Sequence, residues 1–165
     1  MLKTNIAIIE DIIGYHFNNK ALLEQAYTLQ SYEQEYSGST CNKMLAQLGN
    51  AEIYAFSTQL AFDQFMNVST AGLQSKKTVE FLSGWRRNFS DSDFLAQLID
   101  KLNLVNPDYF RIGKSQSKSK TLNQPDVKAN LAEAIVGAVA LDCQLASEAI
   151  INFLVKFILT TMMTL

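Results

Sequence analysis

The sequence predicts one all-α domain, and three observations carry that prediction. The 165 residues include only two prolines and seven glycines, so little interrupts helix formation. Apolar side chains recur every three or four positions over most of the chain rather than alternating with polar ones. Hydrophobic residues make up 48% of the whole, enough for one substantial core, and no repeat or shift in composition divides it. Residues 1–165 therefore read as a single domain.

The elements follow in chain order. Ile6–Ile13 carries apolar residues at helical spacing and stops at Gly14. Asn19 is suited to cap a helix through Leu22, Leu23 and Ala26, because its short side-chain oxygen accepts a first-turn N–H. Residues 33–40 are polar, contain Gly38 and predict a loop. A long helix is expected from Asn42 to Met66, with Leu45, Leu48, Ile53, Phe56, Leu60 and Phe65 at its apolar positions. Residues 67–75 predict another loop, and Thr78–Arg87 a short helix. Ser90 or Asp91 caps the next helix, whose apolar face is Phe94, Leu95, Leu98, Ile99 and Leu102. Asn106-Pro107-Asp108 closes that region, since the residue before a proline disfavours helix. Residues 113–123, rich in serine and lysine, predict a mobile low-complexity segment. Pro125 fits the first position of a helix through Ala140, where its missing N–H costs nothing. Ser147 and Glu148 open the last helix.

Charge narrows the function classes. The net charge is −2 and the pI about 5.4, so the overall field does not attract nucleic acid and any such contact needs a local basic patch. Cys41 and Cys143 lie far apart with no CxxC partner, which argues against a disulfide framework or a zinc site. The apolar run Ile6–Ile9 is too short for a signal peptide. Ala149–Leu165 carries Asn152 and Lys156 and reads as a buried bundle helix rather than a membrane span. A cytoplasmic protein with no membrane partner is expected, with an organellar location left open.

Two stretches stand out. The first is Asn42-Lys43-Met44-Leu45-Ala46-Gln47-Leu48-Gly49-Asn50-Ala51, the second Asn130-Leu131-Ala132-Glu133-Ala134-Ile135-Val136-Gly137-Ala138. On a helix, residues three or four apart share a face. Positions 46 and 50 therefore project together, as do 130 and 133, and two such helices side by side would bring all four to one place.

These stretches resemble the signature helices of the ribonuclease III catalytic (endonuclease) domain, which read roughly N-E-R-L-E-F-L-G-D-A and D-A-F-E-A-L-I-G-A. The resemblance extends along the chain. Ile9-Glu10-Asp11-Ile12-Ile13-Gly14-Tyr15-His16-Phe17 is similar to L-E-x-x-L-G-Y-x-F, Leu22–Thr28 to L-L-x-x-A-L-T followed by Ser31-Tyr32, and Tyr109–Lys114 to Y-L-x-L-G-K, all in the same order. It implies a single ribonuclease III-like helical domain. It also implies a site where four acids hold Mg²⁺ to hydrolyse double-stranded RNA. The four positions here are Ala46, Asn50, Asn130 and Glu133, so Glu133 alone keeps its acid. Leu29-Gln30 stands where His-Arg is usual, Lys43 replaces a glutamate, and Gln47 replaces an aromatic that packs into a dimer partner. No double-stranded RNA-binding domain is expected after Leu165.

Four acids would bind one or two Mg²⁺ ions, which prefer carboxylate oxygen and water, and the metals would activate the attacking water. One carboxylate offsets little of a dication's charge, so neither a metal nor another cofactor is expected unless the enzyme is active, when Mg²⁺ would be needed. Glu52 cannot compensate, because it lies about 200° around the helix from position 50. Asp126, four residues before Asn130, shares its face but is better read as a first-turn acid favoured by the helix dipole. Glu133 itself is expected to be partly buried and hydrogen-bonded to Asn50 and Asn130.

Arg111, Lys114, Lys118 and Lys120 form a basic stretch with no acid between Asp108 and Asp126. They are candidates for phosphate contact, against the plainer alternative of a solvated loop. Lys43, Met44 and Gln47 mark the candidate dimer face. Trp85-Arg86-Arg87 reads as a helix end packing its tryptophan, and His16 has no second ligand to make a site. Three functions compete. The favoured one is a catalytically degenerate domain that binds or dimerises in RNA metabolism, as a homodimer or heterodimer, with double-stranded RNA and not DNA as its nucleic acid. The others are a metal-dependent double-stranded RNA endonuclease and a structural component of an RNA–protein assembly.

Overall fold

A computed structural model describes residues 3–161 as a helical domain with one small hairpin. The elements are α1 (Lys3–Ile13), α2 (Lys20–Ala26), α3 (Gln30–Glu35), α4 (Lys43–Phe65), β1 (Met66–Ser69), β2 (Gly72–Ser75), α5 (Val79–Phe89), α6 (Ser92–Lys101), α7 (Lys118–Leu122), α8 (Pro125–Asp142) and α9 (Ser147–Leu154). The last of these continues as a π-helical stretch, Val155–Thr160. Part of the expected final helix, residues 162–165, lies outside the described residues.

The centre of the fold is α8. Ala129, Leu131, Ala132 and every residue from Ala134 to Ala140 are buried, so its second half is apolar all round rather than on one stripe. Alanine and glycine dominate because neighbours press on several sides: α4, α6 and α2 all pack against it. Leu95, Leu98 and Ile99 of α6 and Ile53 of α4 complete a core without solvent exposure. Among the described residues no helix is long and apolar enough to cross a membrane.

The caps follow the residues expected to supply them. Asn19 Oδ1 accepts the Ala21 N–H at 3.1 Å, Asp91 Oδ1 accepts those of Asp93 and Phe94 at 3.1 Å each, and Pro125 is the first residue of α8. Trp85 packs as expected, among Phe65, Phe81 and Phe89, and donates its indole N–H to the Ser57 carbonyl at 3.3 Å.

Three loop expectations are corrected. Residues 66–75 form an antiparallel hairpin in the register Met66↔Ser75 to Ser69↔Gly72. The turn is set by Gly72 at φ +99°, a conformation open to glycine. Burial does not alternate along it, because almost the whole ribbon is exposed. The predicted 33–40 loop begins late, since α3 runs to Glu35. The 113–123 segment is pinned rather than free: Glu35 accepts the backbone N–H of Lys114 at 2.8 Å and of Ser115 at 3.2 Å, and α7 buries Leu122.

A carboxylate also ties the end of α8 to the start of α2. Asp142 accepts the N–H groups of Asn18 (2.8 Å) and Asn19 (2.7 Å) and the Tyr15 hydroxyl (2.9 Å). Burial alone would raise its pKa, but these donors outweigh burial and hold it below the ordinary carboxylate value. Such a group stabilises the fold above its unfolded pKa, and the contribution is lost as pH falls through the folded value. Asp142→Ala should therefore cost about 2 kcal/mol at neutral pH, the scale of charge-assisted hydrogen bonds. Urea melts should show the gap between variant and parent closing under acid.

Candidate functional site

The site grows from a contact between two glycines. A Cβ built on Gly49 would collide with the Glu133 carbonyl oxygen and lie 2.8 Å from Gly137 N. One built on Gly137 would collide with the Leu45 carbonyl oxygen and lie 3.1 Å from Gly49 N. α4 and α8 thus cross backbone against backbone, and the side chains flanking the crossing are forced together.

Asn50 and Glu133 meet there: the Asn50 amide Nδ2 donates to Glu133 Oε1 at 2.6 Å. Burial raises the Glu133 pKa, and the Asn50 hydrogen bond offsets part of that rise. Ala46 is buried, 5% exposed, and belongs to the apolar core. Asn130 is exposed, and its side chain makes no hydrogen bond to Glu133. The expected partnership of Glu133 is therefore corrected by half: the amide that reaches it belongs to Asn50, not Asn130. Asp126 is exposed in the first turn of α8, and Glu52 faces α9 across a groove with Ile150 and Ile151. Among the described residues, no three histidine, cysteine, aspartate or glutamate side chains gather where they could hold a metal ion.

The basic stretch divides. Arg111 is held within the fold by an ion pair from its Nη2 to Glu24 Oε2, while its backbone pairs with Thr28. Lys114, Lys118 and Lys120 are exposed, with Lys114 Nζ 5.9 Å from the Tyr36 ring and Lys118 Nζ 3.5 Å from the Pro107 carbonyl oxygen. Lys43, Met44 and Gln47 all project outward from the first turns of α4, and Met44 is 76% exposed. His16 sits 3.6 Å from Glu10 Oε2 beside Lys20, which also pairs with Glu10.

One feature escaped the motifs. A cleft beside Asn130, bounded by α3, the start of α4 and residues 116–127, is walled largely by glutamine and asparagine. Those residues are scattered from Gln30 to Asn130, so no local spacing marks them.

The Ribonuclease-III-like family profile matches residues 19–160. "Ribonuclease 3" from Treponema succinifaciens is 30% identical over 143 residues, covering 87% of this chain and 38% of its own length. "Ribonuclease 3" from Carboxydothermus hydrogenoformans is 30% identical over 158 residues, 94% of this chain and 62% of its own. The chain thus spans about four to six tenths of these relatives. In structure it resembles the nuclease domain of ribonuclease III from Campylobacter jejuni, with TM-score 0.78 at 23% identity and 99% of both chains covered. A second structure of that domain, with flexibility in a region involved in dimer formation, gives TM-score 0.76 over 94% of this chain and 97% of its own. With its two motif helices crossing at paired glycines and a profile match across most of its length, this chain belongs to the Ribonuclease-III-like family.

Proposed function

We propose that this chain is a ribonuclease III-fold module that binds double-stranded RNA without hydrolysing it and pairs with a second such domain, either another copy or a relative. The Asn50–Glu133 hydrogen bond carries the reading. At the four positions where the family holds metal, the donor set is one carboxylate, already engaged by an amide N–H, beside an alanine and an exposed asparagine. That set does not fit Mg²⁺, which takes near-octahedral oxygen ligation and usually more than one negative partner. The carboxylate is instead kept quiet by a neutral neighbour of the same shape as the lost aspartate, which removes the like-charge repulsion of an acidic cluster.

RNA binding is supported by Lys114, Lys118 and Lys120, three exposed cations on a pinned segment with no acid among them. Such charges grip phosphates without reading sequence. The candidate pairing face is Lys43, Met44 and Gln47, which project outward together from the first turns of α4, with Met44 76% exposed.

The test is a labelled RNA duplex incubated with Mg²⁺ and then Mn²⁺, beside a Glu133→Gln control. The duplex should stay intact while shifting in a gel, with affinity falling as salt rises at a slope of about −3, near one unit per lysine–phosphate contact. Cleavage that disappears in the control would establish a metal-dependent endonuclease and overturn the proposal.

A further inference from the structure

The cleft beside Asn130 has an unusual wall. Six amide side chains line it: Gln30, Gln34, Asn42, Gln116, Gln124 and Asn130. No acid, arginine or histidine is among its lining residues, and the one charge is the Lys43 ammonium. A wall of this kind neither attracts a cation nor repels a polyanion. It offers paired donors and acceptors in the fork geometry that complements the edge of a nucleobase. Leu29 and Val127 supply apolar surface in the same cleft, on which a flat ring can rest.

Size points the same way. The cleft holds about 230 Å³, below the roughly 300–1,000 Å³ of sites for drug-sized ligands. A space of that order suits one heterocyclic ring, with the sugar and phosphate outside. Lys114, Lys118 and Lys120 flank Gln116 along the chain and are exposed, supplying cations near the cleft in sequence. A second observation concerns Asn42, one of the lining residues. Asn42 is 95% buried, being 5% exposed, and its Nδ2 has no acceptor among the described residues. Buried amide donors in folded proteins are almost always paired. The terminal amide torsion is broad, so this donor can turn toward a ligand in the cleft.

We infer that the cleft takes a single unpaired nucleobase, extruded from an RNA helix whose phosphates lie on the neighbouring lysines. The inference rests on the RNA-binding reading and deepens it: the preferred substrate is a duplex interrupted by a bulged or mismatched base. An unpaired base is the one most easily moved out of the stack, which makes the preference a property of the RNA as well as of the cleft.

The experiment uses two RNA hairpins, one fully paired and one carrying a single bulged 2-aminopurine, with the same fluorophore paired in the first. Binding is read by gel shift and by fluorescence at fixed salt. The bulged RNA should bind roughly tenfold more tightly, the scale of seating one base, and its fluorescence should change as the base enters the cleft. Gln34 and Gln124 are exposed, so the double variant Gln34→Leu/Gln124→Leu keeps its fold, which a thermal melt checks. That variant should bind the two RNAs equally. Equal binding of both RNAs by the parent protein, or a preference that survives in the variant, overturns the cleft assignment and leaves RNA binding standing. No binding of either RNA overturns both.

Discussion

Gly137→Ala should destabilise this protein by at least about 3 kcal/mol, a large part of the roughly 5–15 kcal/mol that holds a domain of this size together. In an isolated helix the same change is favourable by about 1 kcal/mol, because alanine loses less conformational freedom. The sign reverses here because the new methyl would collide with the Leu45 carbonyl oxygen, which belongs to a helix that cannot yield locally. Gly49→Ala meets the Glu133 carbonyl in the same way, so the two variants should be similarly damaging. Gly84 supplies the control. It lies in α5 with nothing within 4 Å of its would-be Cβ, so Gly84→Ala should gain roughly 0.5–1 kcal/mol. Denaturant midpoints of the three variants test the argument together. Losses at positions 49 and 137 no larger than the change at 84 would show that the helices do not touch through these glycines.

How much of this was legible in the sequence depends on the range of the interaction. Asn19, Asp91 and Pro125 announced helix starts because capping is local: the side chain that decides and the N–H it satisfies, or replaces, lie within three residues. The long helices were readable from apolar spacing even though the second half of α8 has no polar face. The hairpin at 66–75 was not, because the alternation in Met66-Asn67-Val68-Ser69 spans only four residues of an almost fully exposed ribbon, too short a run to separate strand from loop, and its register comes from the glycine turn. The 113–123 segment looked mobile because its anchor, Glu35, lies about eighty residues earlier.

The site divides along the same line. Positions 46, 50, 130 and 133 could be named because each pair shares one helical face. That Asn50 and Glu133 meet depends on the close approach at Gly49 and Gly137, which only the crossing of the two helices explains. Arg111 could not be told from its lysine neighbours, because only the fold brings Glu24 to its guanidinium. The amide cleft was the least legible feature, assembled from α3, α4, α7 and α8 with no repeated spacing.

The second large effect comes from returning one acid. Asn50→Asp places a carboxylate where an amide now donates to Glu133 at 2.6 Å. Two carboxylates at that distance cannot both ionise cheaply, and Glu133 already has its pKa raised by burial. The pair should titrate as a unit, holding one shared proton well above the ordinary carboxylate range. A pKa raised on folding means that stability is fully present below the unfolded value and is lost as pH rises through the folded one. The variant should therefore melt near the parent at roughly pH 4 and fall progressively behind it toward pH 8. A deficit that does not change with pH would mean that the two side chains do not face each other. Magnesium adds the deciding comparison. A dication relieves the new repulsion, so millimolar Mg²⁺ should raise the melting temperature of Asn50→Asp by mass action on the folded state. The parent protein, whose amide N–H occupies the Glu133 oxygen, should not respond. An equal rise in the parent would show that its single carboxylate already recruits the ion, and the non-catalytic reading would fall with it.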